Sequence, residues 1–214
     1  MKQRIVTLGD SITWGASATT PENCWARRVV SMLNEFCGQR FELENKGICA
    51  NILSIETPAY PYAAKPVGLE RLQTDVIEEK PDILIIAYGL NDSRGGTDPR
   101  IFRRDYQRML DEVQKNGNPL IVALNLYYMH EEFYHSCENW DYSNYELTEE
   151  YNLIIRQLSE KNNLIYADVY SVQAGLDQAV CDDHCHPNDL EHFLIANKVF
   201  ESIVRSPDFW KMLD

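Results

Sequence analysis

The sequence predicts an α/β domain: a three-layer α/β/α sandwich around a five-stranded parallel sheet with a flavodoxin-like layout. Five apolar, β-rich runs alternate along the chain with stretches that have helical spacing. The runs at 83–88 and 120–126 are almost continuously hydrophobic, which is typical of strands buried on both faces of a parallel sheet. Right-handed crossovers leave few other topologies for this alternation. Ligands in such sheets bind at the carboxyl ends of the strands.

The expected elements follow one another without a break between domains. Strands are predicted at 5–8, 41–44, 83–88, 120–126 and 164–169. The first helix has Thr20 as candidate N-cap and Pro21 at its first position. Further helices are predicted at 68–79, 99–115, 148–161 and 188–204. No internal repeat or low-complexity linker divides the chain, so residues 1–214 are predicted to form a single domain.

Composition excludes several classes of function. The chain has 214 residues, with 20 Lys and Arg against 33 Asp and Glu, and its formal charge of −13 disfavours nucleic acid and anionic membrane surfaces as partners. No apolar run approaches the roughly 20 residues of a membrane helix, and the amino end lacks the pattern of a secretory signal. We therefore expect a cytoplasmic protein. Its six cysteines show no pairing pattern, so free thiols are expected.

The segment 127–150 departs from the strand-helix rhythm. It holds seven acidic residues and no Lys or Arg, so its formal charge is −7, and seven aromatic residues are interleaved with the acidic ones. We expect an aromatic and acidic loop insertion at about 127–147, rooted at the carboxyl edge of the sheet. A lid or substrate wall is one hypothesis, and a solvated loop or an oligomer contact is the other. If it borders the active site, it disfavours anionic substrates.

Four short motifs lie at the strand ends. They are Gly9-Asp10-Ser11 after the first strand, Gly47 after the second, Gly89-Leu90-Asn91-Asp92 after the third, and Asp183-His184-Cys185-His186-Pro187-Asn188 before the last long helix. In this order, the motifs resemble those of the SGNH (GDSL-type) hydrolase superfamily of esterases, lipases and acylhydrolases, and the resemblance spans Gly9 to about Val204. The chain departs from that pattern at Ala50 and Glu191, where many relatives carry glycine.

The chemistry of the residues agrees with the catalytic triad that the resemblance implies. Ser11 follows a strand at a glycine-containing turn, which exposes its hydroxyl at the sheet edge, and a serine hydroxyl needs a base to become a good nucleophile. His186 is the candidate base, because a histidine keeps a useful neutral fraction near neutral pH. Asp183, three residues earlier, can accept the other ring N–H. His184 is a less favoured base, since His186 directly precedes the Pro-Asn turn of the last helix.

The resemblance also implies an oxyanion hole formed by the Ser11 backbone N–H, the Gly47 backbone N–H and the Asn91 side-chain amide. At position 47, a residue without Cβ lets the backbone approach a substrate closely. Asp10 and Asp92 are expected to brace their loops. At the start of the last helix, Asn188 is expected to act as N-cap, with Glu191 reaching back to it in a variant of the capping box.

The implied activity is hydrolysis of a carboxylic ester through an acyl-enzyme on Ser11, without a metal or cofactor. We expect a small-molecule ester with a short acyl group on a polar or carbohydrate-like alcohol. An acyltransferase or thioesterase with the same triad is the alternative. Outside enzymes, the chain fits a binding module on a retired scaffold, or a metal-binding protein that uses the cluster Cys181, His184, Cys185 and His186, although adjacent residues converge poorly on a tetrahedral ion. The sequence is also compatible with a homo-oligomer.

Overall fold

Five parallel strands form one sheet in the order β2-β1-β3-β4-β5. The computed structural model describes residues 2–130, 132, 134, 137–183 and 185–213. The strands are β1 (Gln3–Gly9), β2 (Phe41–Gly47), β3 (Ile83–Ala87), β4 (Leu120–Leu124) and β5 (Ile165–Ala167). The predicted α/β fold with a five-stranded parallel sheet is confirmed, because each strand lies within or beside a predicted apolar run.

Helices cover both faces of this sheet. They are α1 (Ser11–Trp14), α2 (Trp25–Cys37), α3 (Leu90–Arg94), α4 (Pro99–Asn116), α5 (Tyr145–Lys161), α6 (Val169–Gln173), α7 (Asp189–Val204) and α8 (Pro207–Leu213). On one face α2 packs against α7, and on the other α4 packs against α5. Every residue of β3 is therefore buried, which explains the continuous hydrophobic run in the sequence. None of the helices in the described part of the chain is long and apolar enough to cross a membrane.

Two helix predictions are wrong in their boundaries or type. Residues 21–23 form a short 3₁₀ turn and Thr20 makes no capping hydrogen bond, so α2 begins only at Trp25. The predicted helix at 68–79 is reduced to a π-helical turn, Gln73–Ile77. Here the chain bonds across to the loop after β2: the Gly68 N–H donates to Ile52 O at 2.8 Å and the Leu69 N–H to Leu53 O at 3.2 Å.

Helix α5 begins three residues earlier than the sequence indicated. Asn144 caps it, since its side chain accepts the Leu147 N–H at 2.8 Å. Residues 145–147 of the predicted insertion therefore belong to a helix. Three of the acidic residues in 127–150, namely Glu146, Glu149 and Glu150, lie on α5 rather than on a loop.

The start of α7 shows the predicted cap but not the predicted capping box. The Asn188 side chain accepts the Leu190 N–H at 2.9 Å and the Glu191 N–H at 3.3 Å. Its own N–H donates to Ala179 O at 2.9 Å and so cannot bond to Glu191. The Glu191 side chain is instead buried, with 1% of its surface exposed, and its Oε2 has no hydrogen-bond partner within the described chain. Burial raises the pKa of Glu191 to about 8.

We expect Glu191→Gln to make stability less sensitive to pH. Because the pKa of Glu191 is raised in the folded state, its contribution to stability is greatest below the pKa of the unfolded chain and is lost as pH rises toward about 8. At pH 9 the neutral amide should therefore stabilise the protein by about 1 to 3 kcal/mol, or a few degrees in Tm. Thermal unfolding of both proteins between pH 5 and 9 measures this difference, and a constant Tm offset across that range would contradict it.

Candidate active site

The carboxyl end of β1 presents Ser11. The strand ends at Gly9, and Asp10 then caps the one-turn helix α1 by accepting the Ile12 N–H at 3.0 Å. Burial raises the pKa of the Asp10 carboxyl to about 6, although the Ile12 N–H opposes the shift. Ser11 is the first residue of α1, so its hydroxyl lies at the edge of the sheet rather than within it.

Side-chain hydrogen bonds hold the loop that precedes α7 at this edge of the sheet. Asp189, the first residue of α7, accepts the Thr19 N–H at 2.9 Å and the Asn23 side-chain N–H at 2.8 Å. One turn later, His192 Nε2 lies 3.1 Å from Ala16 O. These contacts fasten the segment after α1 to the start of α7. The residues that precede α7 are thereby held beside Ser11.

Ser11, His186 and Asp183 form one hydrogen-bonded chain. Ser11 Oγ lies 2.9 Å from His186 Nε2, and His186 Nδ1 lies 2.6 Å from Asp183 Oδ2. Asp183 Oδ1 also accepts the backbone N–H groups of His186, at 2.9 Å, and Cys185, at 3.1 Å. Burial raises the pKa of Asp183, but the hydrogen bonds from His186 and Cys185 outweigh it and hold the pKa below its usual value. An ionised Asp183 fixes the ring so that Nε2 faces the Ser11 hydroxyl.

Asn91 lies at the start of α3, the helix that follows β3, and both ends of its amide are held. Its Nδ2 donates to Asn51 O at 3.1 Å, and its Oδ1 accepts from the buried Arg94 Nη1 at 3.4 Å. An amide nitrogen carries two N–H groups, so a second donor is available to a substrate. Asp92 accepts the Leu53 N–H at 2.9 Å, and burial raises the pKa of Asp92 to about 7. Its contact braces the loop that contains Asn51.

Gly47 is placed differently from the sequence expectation. Its N–H donates to Asn45 Oδ1 at 3.0 Å and is therefore occupied. A Cβ at this position would lie 2.1 Å from Trp14 N, so glycine is required there for the packing of α1 against the end of β2. The Gly47 N–H is therefore not available as the oxyanion donor that the sequence analysis expects.

Ala50, three residues further along, offers a donor instead. Its backbone is left-handed, with φ of 55°, and its N–H meets no acceptor among the residues that the structure describes. It directly precedes Asn51, whose carbonyl accepts from Asn91. The sequence signal was present, since Ala50 occupies the position where many relatives carry a glycine, a residue that tolerates positive φ.

The metal-binding alternative gains no support from the thiols. Burial raises the pKa of the Cys185 thiol well above its usual value, which disfavours the thiolate that zinc needs. The described residues contain no group of three or more His, Cys, Asp or Glu side chains that could hold a metal ion. His184, which belongs to the predicted cluster, lies outside the described residues.

Part of the 127–144 segment packs against α3, the helix that carries Asn91. The Tyr142 N–H donates to Arg94 O at 3.1 Å, and Ser143 Oγ lies 3.3 Å from Ser93 Oγ. Trp140 packs on a small apolar cluster that contains Ile52. The segment therefore borders the Asn91 side of the site over residues 140–143.

Comparison with known proteins identifies the family. The profile of the GDSL-like Lipase/Acylhydrolase family matches residues 7–192. The chain belongs to this family. It is therefore a carboxylic ester hydrolase of the GDSL type, as the sequence predicted. No curated protein matches the chain significantly.

Solved structures of GDSL-type enzymes share its fold. A lipase/acylhydrolase from Enterococcus faecalis superposes with a TM-score of 0.74 at 19% identity, over 94% of this chain and 95% of that one. The acetylxylan esterase Axe2 from Geobacillus stearothermophilus gives a TM-score of 0.70 at 18% identity, over 94% and 93% of the two chains. TesA gives 0.73 at 17% identity, over 94% and 98%. At these identities the comparison establishes the fold alone.

Removal of the Asn91 amide should reduce turnover far more than stability. We expect Asn91→Ala to lower kcat about 100- to 1000-fold, the usual loss for one oxyanion donor. Asn34→Ala is the matched control, because Asn34 holds the first residue of β2, Phe41, through two hydrogen bonds at the opposite edge of the sheet. Ester hydrolysis and thermal unfolding of both variants provide the measurement. Equal turnover in Asn91→Ala and wild type would remove Asn91 from the oxyanion hole.

Proposed function

We propose that this esterase cleaves a short acyl group from a polar or carbohydrate-like alcohol through an acyl-enzyme on Ser11. The continuous hydrogen-bonded chain from Asp183 through His186 to Ser11, with its distances of 2.6 and 2.9 Å, is the observation that carries the mechanism. A hydroxyl, an imidazole and a carboxylate in this order are the parts of a nucleophile activated by an oriented base.

The reaction proceeds in two balanced halves. His186 Nε2 takes the Ser11 Oγ proton as Oγ bonds to the carbonyl carbon, and the carbonyl π electrons move to its oxygen. When that oxyanion collapses, the alcohol leaves and takes the proton from His186, which leaves the acyl group on Ser11. Water then repeats the sequence: His186 accepts its proton, the hydroxyl adds to the acyl carbon, and Ser11 leaves with the proton as the carboxylic acid is released.

Three donors surround the oxyanion in this proposal. They are the Ser11 N–H, the second Asn91 Nδ2–H and the Ala50 N–H, which replaces the Gly47 N–H of the sequence hypothesis. Support for Ala50 comes from its left-handed backbone and from its position next to Asn51, the acceptor of the first Asn91 N–H. Fixed donors of this kind stabilise charge that develops in the transition state without reorganising.

The wall beside Asn91 favours a short acyl group. The Arg94 guanidinium lies 3.4 Å from Asn91 Oδ1 and 4.0 Å from Cys185 Sγ, so it spans the space between the oxyanion side and the catalytic loop. A long alkyl chain against this wall would contact a buried charged group in place of an apolar channel, which is an unfavourable contact. An acetyl group is small enough to avoid this conflict.

Aromatic groups near Ser11 favour a flat, hydroxylated alcohol. Trp14 lies three residues after Ser11 on α1, and 60% of its surface is exposed. Its indole combines an apolar face with an N–H donor, which suits the face and the hydroxyls of a sugar ring. The Geobacillus stearothermophilus neighbour is an acetylxylan esterase, and this activity belongs to the same substrate class.

Ester hydrolysis across acyl lengths tests the mechanism and the acyl preference together. With p-nitrophenyl acetate, butyrate and octanoate, we expect kcat/KM to fall with length and Ser11→Ala to lose at least about 1000-fold in kcat. Ser31→Ala is the control, because Ser31 is exposed on α2 and its hydroxyl contacts only Glu35 among the described residues, so its removal should leave turnover unchanged. Activity retained in Ser11→Ala would refute the acyl-enzyme mechanism. A preference for octanoate would refute only the proposed preference for a short acyl group and would leave the mechanism standing.

The charge of the substrate provides a separate test. Residues 127–150 carry a formal charge of −7, and part of this segment borders Asn91, so an anionic ester should approach the site less readily than a neutral or cationic one. We expect kcat/KM for a hemisuccinate ester to lie below that for a neutral ester of the same alcohol, and the gap to narrow as salt screens the charge. Equal rates at low ionic strength would contradict this interpretation.

A further inference from the structure

A buried arginine joins the carboxyl ends of the two strands that precede the active-site loops. Only 1% of Arg71 is exposed. Its Nη1 donates to Lys46 O, near the end of β2, at 2.6 Å, and its Nη2 donates to Gly9 O, at the end of β1, at 3.0 Å. Asp75 Oδ2 accepts from Nη1 at 2.8 Å and balances the buried charge. The guanidinium therefore fixes the two strand ends relative to each other.

Tyr88 connects Arg71 to Asn51, the residue that contacts the proposed oxyanion donor Asn91. It directly follows β3, and its buried hydroxyl accepts from Arg71 Nη2 at 2.6 Å and donates to Asn51 Oδ1 at 2.5 Å. Burial raises the pKa of Tyr88 above its ordinary value, so the hydroxyl stays neutral and serves as donor and acceptor at once. Gly68 leaves the space for this ring, because a Cβ there would lie 2.9 Å from Tyr88 Cζ.

Asn51 accepts the hydrogen bond from Tyr88 and is completely buried. Its Nδ2 donates to Ala64 O at 2.9 Å and to Pro66 O at 3.0 Å, so every hydrogen-bonding site of the amide is used except one lone pair. Its backbone carbonyl accepts the Asn91 Nδ2–H, and its backbone nitrogen follows Ala50 directly. Two of the three proposed oxyanion donors thus depend on the position of one residue.

We propose that Arg71, Tyr88 and Asn51 form a positioning relay for the oxyanion hole, which sets the Ala50 N–H and the Asn91 amide relative to Ser11. This inference rests on the proposed function and names residues that touch no reacting atom. A guanidinium presents its donors in a fixed fork, and the two terminal nitrogens of Arg71 are both hydrogen-bonded, so the buried network restricts the positions of its members. The positions of the strand ends therefore determine the positions of the Ala50 N–H and the Asn91 amide.

Tyr88→Phe is the direct test, because it deletes only the hydroxyl that links Arg71 to Asn51. We expect kcat for p-nitrophenyl acetate to fall about 10- to 100-fold, the loss typical of catalytic groups displaced by about 1 Å, with KM changed by less than about twofold. Tyr106→Phe is the matched control: Tyr106 is equally buried, and its hydroxyl has no partner in the described part of the structure. Its kcat should equal that of wild type.

A double-mutant cycle separates positioning from a general loss of stability. In an Asn91→Ala background, Tyr88→Phe should reduce kcat by a clearly smaller factor than in wild type, because one of the groups that the relay positions is already gone. Wild-type kcat in Tyr88→Phe, or fully multiplicative effects in the double mutant, would overturn the proposal. Failure of the proposed function shows up elsewhere, as retained turnover in Ser11→Ala.

Discussion

One buried guanidinium holds together the edge of the sheet at which the active site forms. Burial of a charge is costly unless the charge is paired and fully hydrogen-bonded. Arg71 is paired with Asp75, and its two terminal nitrogens donate to four acceptors, namely Lys46 O, Asp75 Oδ2, Gly9 O and the Tyr88 hydroxyl, although its Nε has no partner among the described residues. Because these acceptors include the ends of β1 and β2 and the residue after β3, the loops that carry Ser11, Ala50 and Asn91 leave the sheet from a fixed base.

The catalytic loop needs a second attachment, because β5 is separated from β1 by two strands in the sheet. Backbone pairing therefore cannot bring His186 to Ser11. The Asp189 contacts with Thr19 and Asn23 provide the link, and the packing of α7 on α2 supports it. Sheet geometry thus positions the proposed nucleophile and oxyanion donors, whereas the start of α7 positions the proposed base.

Sequence patterns predicted those parts of the molecule that local chemistry determines. The strands follow from their hydrophobic runs, and Ser11, Asp183 and His186 follow from residue type and motif order. The errors arose where tertiary contacts decide. The family resemblance implies Gly47 as an oxyanion donor, and the missing Cβ is consistent with close approach of a substrate, yet the close neighbour is Trp14 of the same chain. Arg71 was overlooked because an arginine in an amphipathic stretch resembles a surface residue, and only the fold shows four acceptors around it.

The charges that flank the site match the charges that ester cleavage creates. In the proposed mechanism, His186 becomes cationic in the transition state while the substrate oxygen becomes anionic. Asp183 lies against the imidazole, and Asp10 is close enough for His186 to lower its pKa. On the other side, Arg94 contacts the amide of Asn91, the proposed oxyanion donor. In a chain with a formal charge of −13, a buried cation thus lies on the Asn91 side and carboxylates lie on the His186 side, which is the distribution of charge that the proposed mechanism requires.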